Sequence, residues 1–244
     1  MPLVDMQGHL GVGEETLACR PPALETAVAY MNTYDIESMC LASSEAVSDI
    51  VGGNAALATA IKTDARFKGW LELSVHQVEV SQTLARQYLT KPQWVGARFE
   101  QRNSGDALDG AGGHIVLNAL RRYSKPILVT CHAPDTMASF LRSAREFHTL
   151  RFVLSPQTAS LTSDAPAAIR DLINVSFLPS AAWCERDVMA SAIAVLGERR
   201  VLWGSDWGKL HPSAAIGMVR DSALNTLQRE RIVMRNPREL LIQE

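Results

Sequence analysis

The chain has 244 residues, is 47% hydrophobic and 20% charged, and carries a formal net charge of −2. Such a composition excludes a disordered chain, and the lack of any block of like charges excludes the footprint of a nucleic-acid or membrane-surface binder. No apolar run approaches the ~18 residues of a membrane span, and the length suits one large core rather than two domains with a linker.

Short apolar runs alternate with amphipathic stretches along the whole chain. The first strand is predicted over Leu3–His9 and is followed by a helix over Ala23–Tyr34. Strand Ile36–Ala42 leads into helix Ser44–Asp64, Gly69–His76 into Ser81–Leu89, and Val95–Glu100 into Gly113–Tyr123. Strand Pro126–His132 precedes helix Pro134–Phe147, and strands over Leu150–Gln157 and Asn174–Ser180 come next. Helix Glu185–Leu196, the eighth strand Arg200–Asp206, and helices over Pro212–Leu224 and Thr226–Leu241 complete the chain. The runs are short and several are rich in Val, Leu, Ile or Phe, as buried parallel strands are. Eight such units in this length predict a single-domain (β/α)8 TIM barrel over residues 1–244. An open doubly wound sheet is the alternative; no G-x-G-x-x-G follows the first strand, which counts against its dinucleotide-binding form.

The four cysteines, Cys19, Cys40, Cys131 and Cys184, are far apart and form no C-x-x-C pair. Reduced thiols in a cytoplasmic protein are the expectation. The opening Met1-Pro2-Leu3-Val4-Asp5 does not read as a signal peptide. A small-molecule substrate is the expected partner, without nucleic acid or membrane, and a homo-oligomer is compatible with the sequence.

Active sites of such barrels stand at the C-terminal ends of the strands. The first strand ends with Asp5, Gln7 and His9, which regular alternation would put on one face. His76 ends the third strand, and Arg98 and Glu100 share a face at the end of the fourth. His132 ends the fifth and Asp206 the eighth, with Trp207 just beyond. Imidazole and carboxylate at several strand ends can bind a divalent metal or move protons near neutral pH. His211 follows the eighth strand closely enough to reach such a site, whereas His114 and His148 fall in helices. Asp5 lies deeper, where a structural hydrogen bond is its expected role, and Ser205 alternates with Asp206 to face a helix. Cys131 points away from His132, so no Cys–His nucleophile pair is expected there. Trp183 and Trp207 could wall a pocket or cap the barrel.

Four segments carry a family resemblance: Val-Asp-Met-Gln-Gly-His-Leu-Gly at 4–11, Gly-Ala-Arg-Phe at 96–99, Pro-Ile-Leu-Val-Thr-Cys-His-Ala at 126–133, and Val-Leu-Trp-Gly-Ser-Asp-Trp at 201–207. With these, and with Arg235–Leu241 at its end, the chain resembles the amidohydrolase superfamily, in the amidohydrolase-related branch that holds 2-pyrone-4,6-dicarboxylate lactonase and metal-dependent decarboxylases. By position, His9 matches the second histidine of that family's His-x-His, His132 its strand-five histidine and Asp206 its strand-eight aspartate. Gln7 stands in place of the first histidine, Ser155-Pro156-Gln157 in place of the strand-six histidine, and Gly208 where proline is common.

The resemblance implies two versions of one chemistry. With a divalent metal, zinc first among them, His9, His132 and Asp206 would be the protein ligands around a water. Without one, as in the lactonase, Asp206 would be the general base, His9 and His132 would stabilise the oxyanion, and Gln7 could add an amide donor. Arg98 would pair with a substrate carboxylate, or sit in a structural ion pair with Glu100 or Asp5. His76, Trp207 and His211 complete the expected substrate-binding set. The implied activity is hydrolysis of a C–O or C–N bond in a small carboxylated cyclic substrate such as a lactone or cyclic amide. A zinc-dependent decarboxylase and a catalytically silent binding subunit are the alternatives.

Overall fold

The structure is a computed structural model that describes residues 2–11, 23–102, 104–183 and 187–241. Cys19, Cys184, the start of the helix expected from Glu185 and the side chain of Trp183 lie outside the described residues. Among the described residues, seven strands are present: β1 (Leu3–Leu10), β2 (Ile36–Ser43), β3 (Phe67–Glu72), β4 (Trp94–Gln101), β5 (Ile127–Cys131), β6 (Phe152–Pro156) and β7 (Val175–Phe177). They form one sheet in chain order, with every neighbouring pair parallel. The helices are α1 (Leu24–Tyr34), α2 (Ile50–Ala60), α3 (Val78–Tyr88), α4 (Ala111–Leu120), α5 (Pro134–Glu146), α6 (Ala159–Ala168), α7 (Val188–Leu196), α8 (Ser213–Asp221), α9 (Thr226–Glu230) and α10 (Asn236–Leu241). None of the described helices is long and apolar enough to cross a membrane.

Helix α6 holds Pro166 inside it, and Thr158 caps it by accepting a hydrogen bond from the Leu161 N–H at 3.3 Å. The single helix expected over Thr226–Leu241 is interrupted by π-helical turns over Arg231–Arg235.

Alternation sorts each strand into two faces. One face supplies the larger core under the helices, including Met39, Leu41, Phe67, Leu71, Phe99 and Val129. The other face builds a smaller cluster from every run in turn: Val4, Met6, Cys40, Ala42, Trp70, Val95, Leu128, Val153, Leu178 and Leu202. This second cluster is the apolar floor inside the curl of the sheet. Trp70 spans it, and its indole N–H donates to the Met6 carbonyl at 2.9 Å. Two residues beyond Trp70, Leu128, Val153 and Leu178 stand the polar residues Glu72, Thr130, Ser155 and Ser180.

The eighth expected run, Arg200–Asp206, is not a regular strand. It makes single parallel bridges, Val201 with Phe177 and Trp207 with Gly8. Its backbone bonds both outer strands: Leu202 N–H donates to Phe177 at 2.8 Å, and Asp206 N–H donates to Gln7 at 2.8 Å. The sheet is therefore a curled, seven-stranded one whose two edges meet the same segment. Gly204 runs so close to β1 that a Cβ would lie 2.8 Å from that of Gln7, and the run ends where Asp206 takes a left-handed φ of 52°.

Candidate active site

The site begins with an irregularity in β1. Asp5 pairs with Met39 and Gly8 with Leu41, so β1 carries one extra residue in between. This bulge shifts the alternation. Val4 and Met6 point into the floor, and the one-face expectation for Asp5, Gln7 and His9 fails. Asp5 instead meets Ser205: its carboxylate accepts from Ser205 N–H at 2.9 Å, Ser205 Oγ at 2.5 Å and Gln7 N–H at 3.2 Å. The structural role expected of Asp5 is the one found. Burial raises its carboxyl from 3.8 to about 7, even though the Ser205 bonds pull the other way.

Beyond the bulge, His9 and Asp206 meet. His9 Nε2 lies 3.3 Å from Asp206 Oδ1, and both residues are almost fully buried. The other oxygen of Asp206 accepts from Ser180 Oγ at 2.6 Å and from the Ala181 N–H at 2.7 Å. Burial pushes the Asp206 carboxyl up. The His9 bond and charge, the Ser180 bond and the Lys209 charge outweigh that push and hold it below its ordinary value. Burial, then the charge of Lys209, pulls His9 from 6.5 down to about 4 against the attraction of Asp206. Near neutral pH the pair is thus an ionised carboxylate beside a neutral imidazole. Gln7 completes this side. Its Nε2 lies 3.4 Å from His9 Nε2, and its Oε1 accepts from Ser155 Oγ at 3.1 Å. Gln157 Nε2 in turn donates to Ser155 Oγ at 3.0 Å. The two departures from the family pattern therefore touch: the strand-six serine and glutamine hold the glutamine of β1.

His132 does not join this pair. Its Nε2 lies 2.6 Å from Glu100 Oε1. The other oxygen of Glu100 accepts from Thr130 Oγ1 at 2.8 Å and from Arg98. Arg98 also donates to Glu72 at 2.5 Å, and Glu72 receives the Glu100 N–H at 3.0 Å. Arg98 is thus held between two buried carboxylates. Of the two expectations for it, the ion pair with Glu100 is found, without Asp5. Burial raises Glu72 above its ordinary value despite the opposing Arg98 charge.

The remaining expected residues are dispersed. His76 is exposed beside a cavity of about 330 Å3 that Glu72, Ser74, Glu100 and Arg102 also line. His211 is exposed, and its Nδ1 bonds Ser213 Oγ at 2.7 Å at the head of α8. Trp207 is buried and packs in the helix-side core. A larger hollow of about 650 Å3 lies among Arg121, Lys125, Arg151 and Glu239, at the opposite ends of the strands. It contains none of the expected site residues, and neither His9 nor Asp206 lines the smaller cavity.

Glu72, Ser180 and Lys209 are site residues that sequence reasoning missed. Lys209 follows the turn after Asp206, where its N–H donates to the Asp206 carbonyl at 2.9 Å. Its charge bears on His9, Asp206 and Glu72, groups from three different segments. A short offset from Asp206 was the only signal for it.

The metal expectation does not fit this donor set. Among the described residues, no three His, Cys, Asp or Glu side chains are gathered as a metal group. His132 is turned to Glu100, and Oδ2 of Asp206 is filled by Ser180 and Ala181. His9 contacts Asp206 itself through Nε2. His9, His132 and Asp206 are therefore not one ligand shell. Cys40 and Cys131 are buried free thiols that burial pushes up, so neither is a nucleophile at neutral pH.

No family model matches the chain, and no curated protein matches it. Solved structures do. A Staphylococcus aureus protein described as an amidohydrolase superposes with a TM-score of 0.79 at 14% identity, over 99% of each chain. A dihydroxybenzoic acid decarboxylase from a Polaromonas species, with bound manganese and the inhibitor 2-nitroresorcinol, gives 0.79 at 16% identity, over 98% of this chain and 96% of that one. A structure from Acinetobacter baumannii assigned as a 2-pyrone-4,6-dicarboxylic acid hydrolase, with citric acid bound, gives 0.74 at 16% identity, over 99% of both. The chain shares their fold. These neighbours are amidohydrolase-superfamily structures and include both hydrolases and decarboxylases. At such identity the likeness concerns architecture, and the chemistry must be argued from the side chains.

Proposed function

We propose that this chain is an enzyme of the amidohydrolase type, a hydrolase that cleaves a C–O or C–N bond in a small, carboxylated cyclic substrate such as a lactone or cyclic amide. The run 201–207 serves as the eighth stave, and its last residues bring Asp206 to the mouth. The observation that carries the reading is the buried contact between Asp206 and His9, 3.3 Å apart. Desolvating a carboxylate beside an imidazole costs stability, and such arrangements cluster where protons are moved. Water is activated at this pair, without a metal step.

The substrate carboxylate is assigned to Lys209 rather than to Arg98. The Arg98 fork is engaged by Glu72 and Glu100, and the Lys209 charge bears on His9, Asp206 and Glu72.

A decarboxylase is the second reading, favoured by the manganese-bearing neighbour. One screen separates the alternatives: lactones, cyclic amides and hydroxylated aromatic acids, each assayed before and after chelation. Hydrolysis of a ring ester or amide that survives chelation supports the proposal. Carbon dioxide release that needs added manganese supports the second reading. Failure to turn over any of these substrates, with tight binding of a cyclic acid, leaves a silent binding subunit.

A further inference from the structure

We infer that His9, through Nδ1, takes the proton from the attacking water, and that Asp206 is the positioning residue that fixes His9 for that task. The inference rests on the hydrolytic reading and changes its base from the carboxylate to the imidazole.

Asp206 is poorly placed to be a base. Both acceptor positions of Oδ2 are filled, by Ser180 Oγ at 2.6 Å and the Ala181 N–H at 2.7 Å. Oδ1 faces His9 Nε2 at 3.3 Å. Water could give up its proton there only at the second acceptor position of Oδ1, beside the His9 ring. His9 has the complementary geometry. Its side-chain contacts among the described residues are both made through Nε2. An ionised carboxylate only accepts hydrogen bonds. The proton of a neutral His9 therefore sits on Nε2, because the other tautomer would set a ring lone pair against a carboxylate oxygen in a buried site.

Gln7 is consistent with this. Turning its amide end for end offers Oε1 to the Nε2–H, and Ser155 Oγ can accept from the amide as readily as it donates to it. With Nε2 protonated, Nδ1 carries the lone pair.

The step then balances. A water proton passes to Nδ1 as the water oxygen forms a bond to the acyl carbon, and the carbonyl π pair moves onto oxygen. The imidazolium is held against ionised Asp206. On collapse the acyl–oxygen or acyl–nitrogen ring bond breaks, and the leaving atom recovers the proton from Nδ1. The carboxylate orients and stabilises without itself becoming protonated.

Long-range proton–nitrogen correlation spectra of 15N-labelled protein near pH 7 test the assignment, with the His9 signals identified by their loss in His9→Gln. A bare Nδ1 and a protonated Nε2 are expected. Asp206→Asn should shift the population toward the Nδ1–H form, whereas Ser180→Ala should leave it unchanged. A wild-type His9 protonated on Nδ1 overturns the assignment whether or not the enzyme is active, and needs no variant beyond the one used to locate the signals. With a substrate in hand, Asp206→Asn should retain at least about tenfold more turnover than His9→Gln, because the base remains. Equal or lower turnover of Asp206→Asn returns the base to Asp206. A null screen beside the expected tautomer removes the hydrolytic reading while leaving the tautomer in place.

Discussion

Two imidazole–carboxylate pairs stand at one end of the curled sheet, and they are braced differently. Asp206 is held by a serine hydroxyl and a backbone N–H, so its charge meets neutral donors and His9. Glu100 is held by Arg98, which also bonds Glu72, so that pair sits in a charge-compensated lattice. A carboxylate beside a guanidinium is quenched and mainly fixes structure. A carboxylate held by neutral dipoles keeps its field for the imidazole beside it. The difference separates a pair poised for chemistry from one that shapes the mouth.

The largest expected effect breaks the comparison at its active side. Asp206→Asn should lower turnover by about 10^3- to 10^4-fold on a substrate from the screen, as loss of an orienting carboxylate does in comparable triads. Glu100→Gln should cost less than about tenfold in steady-state assays. Similar losses in the two variants would erase the distinction.

Next comes the structural side. Arg98→Met leaves Glu72 and Glu100 buried without their shared cation and should cost about 3–5 kcal/mol in urea unfolding. Glu72→Gln, which keeps a hydrogen-bond acceptor, should cost clearly less.

Smaller, and opposite in sign on the two sides of β1, are the pH effects. Asp5 has a folded value of about 7 against an ordinary 3.8. Its contribution is complete below pH 3.8 and is lost as pH rises to 7, a decline of at most a few kcal/mol. His9 has a folded value of about 4 against 6.5, so stability is gained as pH rises between those values. Between pH 4 and 6.5 the two slopes oppose each other. Asp5→Asn should unmask the rising slope and His9→Gln the falling one in urea midpoints measured across that range.

The smallest effects belong to the exposed histidines. His76→Ala and His211→Ala should each change stability by no more than about 0.5 kcal/mol. A large effect on substrate affinity from either would return that residue to the binding surface.

The architecture was legible because alternation and apolar runs are local. Leu128, Thr130 and His132 follow one another on a single face, so the site end of β5 can be read by counting. What could not be counted was the bulge. The extra residue between Asp5 and Gly8 moves Asp5 behind the sheet, and nothing in Asp-Met-Gln-Gly announces it. Glu72 escaped for a related reason: the third strand was expected to continue to His76, but pairing ends at Glu72. That made a strand-end carboxylate look like a mid-strand residue. The Glu100–His132 pair depends on register, Glu100 opposite Thr130, which one strand alone does not reveal. Ser180 and Lys209 reach the site by loop geometry and by charge acting across space.

The left-handed backbone at Asp206 restricts which side chains the position can hold. At φ 52° a side chain crowds its own carbonyl, and aspartate, asparagine and glycine are the residues that accept this most readily. An alanine scan at this point would mix backbone distortion with lost chemistry and overstate the carboxylate. Asparagine alone trades the charge for a neutral amide of the same shape while keeping the turn. The corner of chain that delivers the residue to the mouth thus also narrows the routes by which its chemistry can change, whether in the laboratory or by descent.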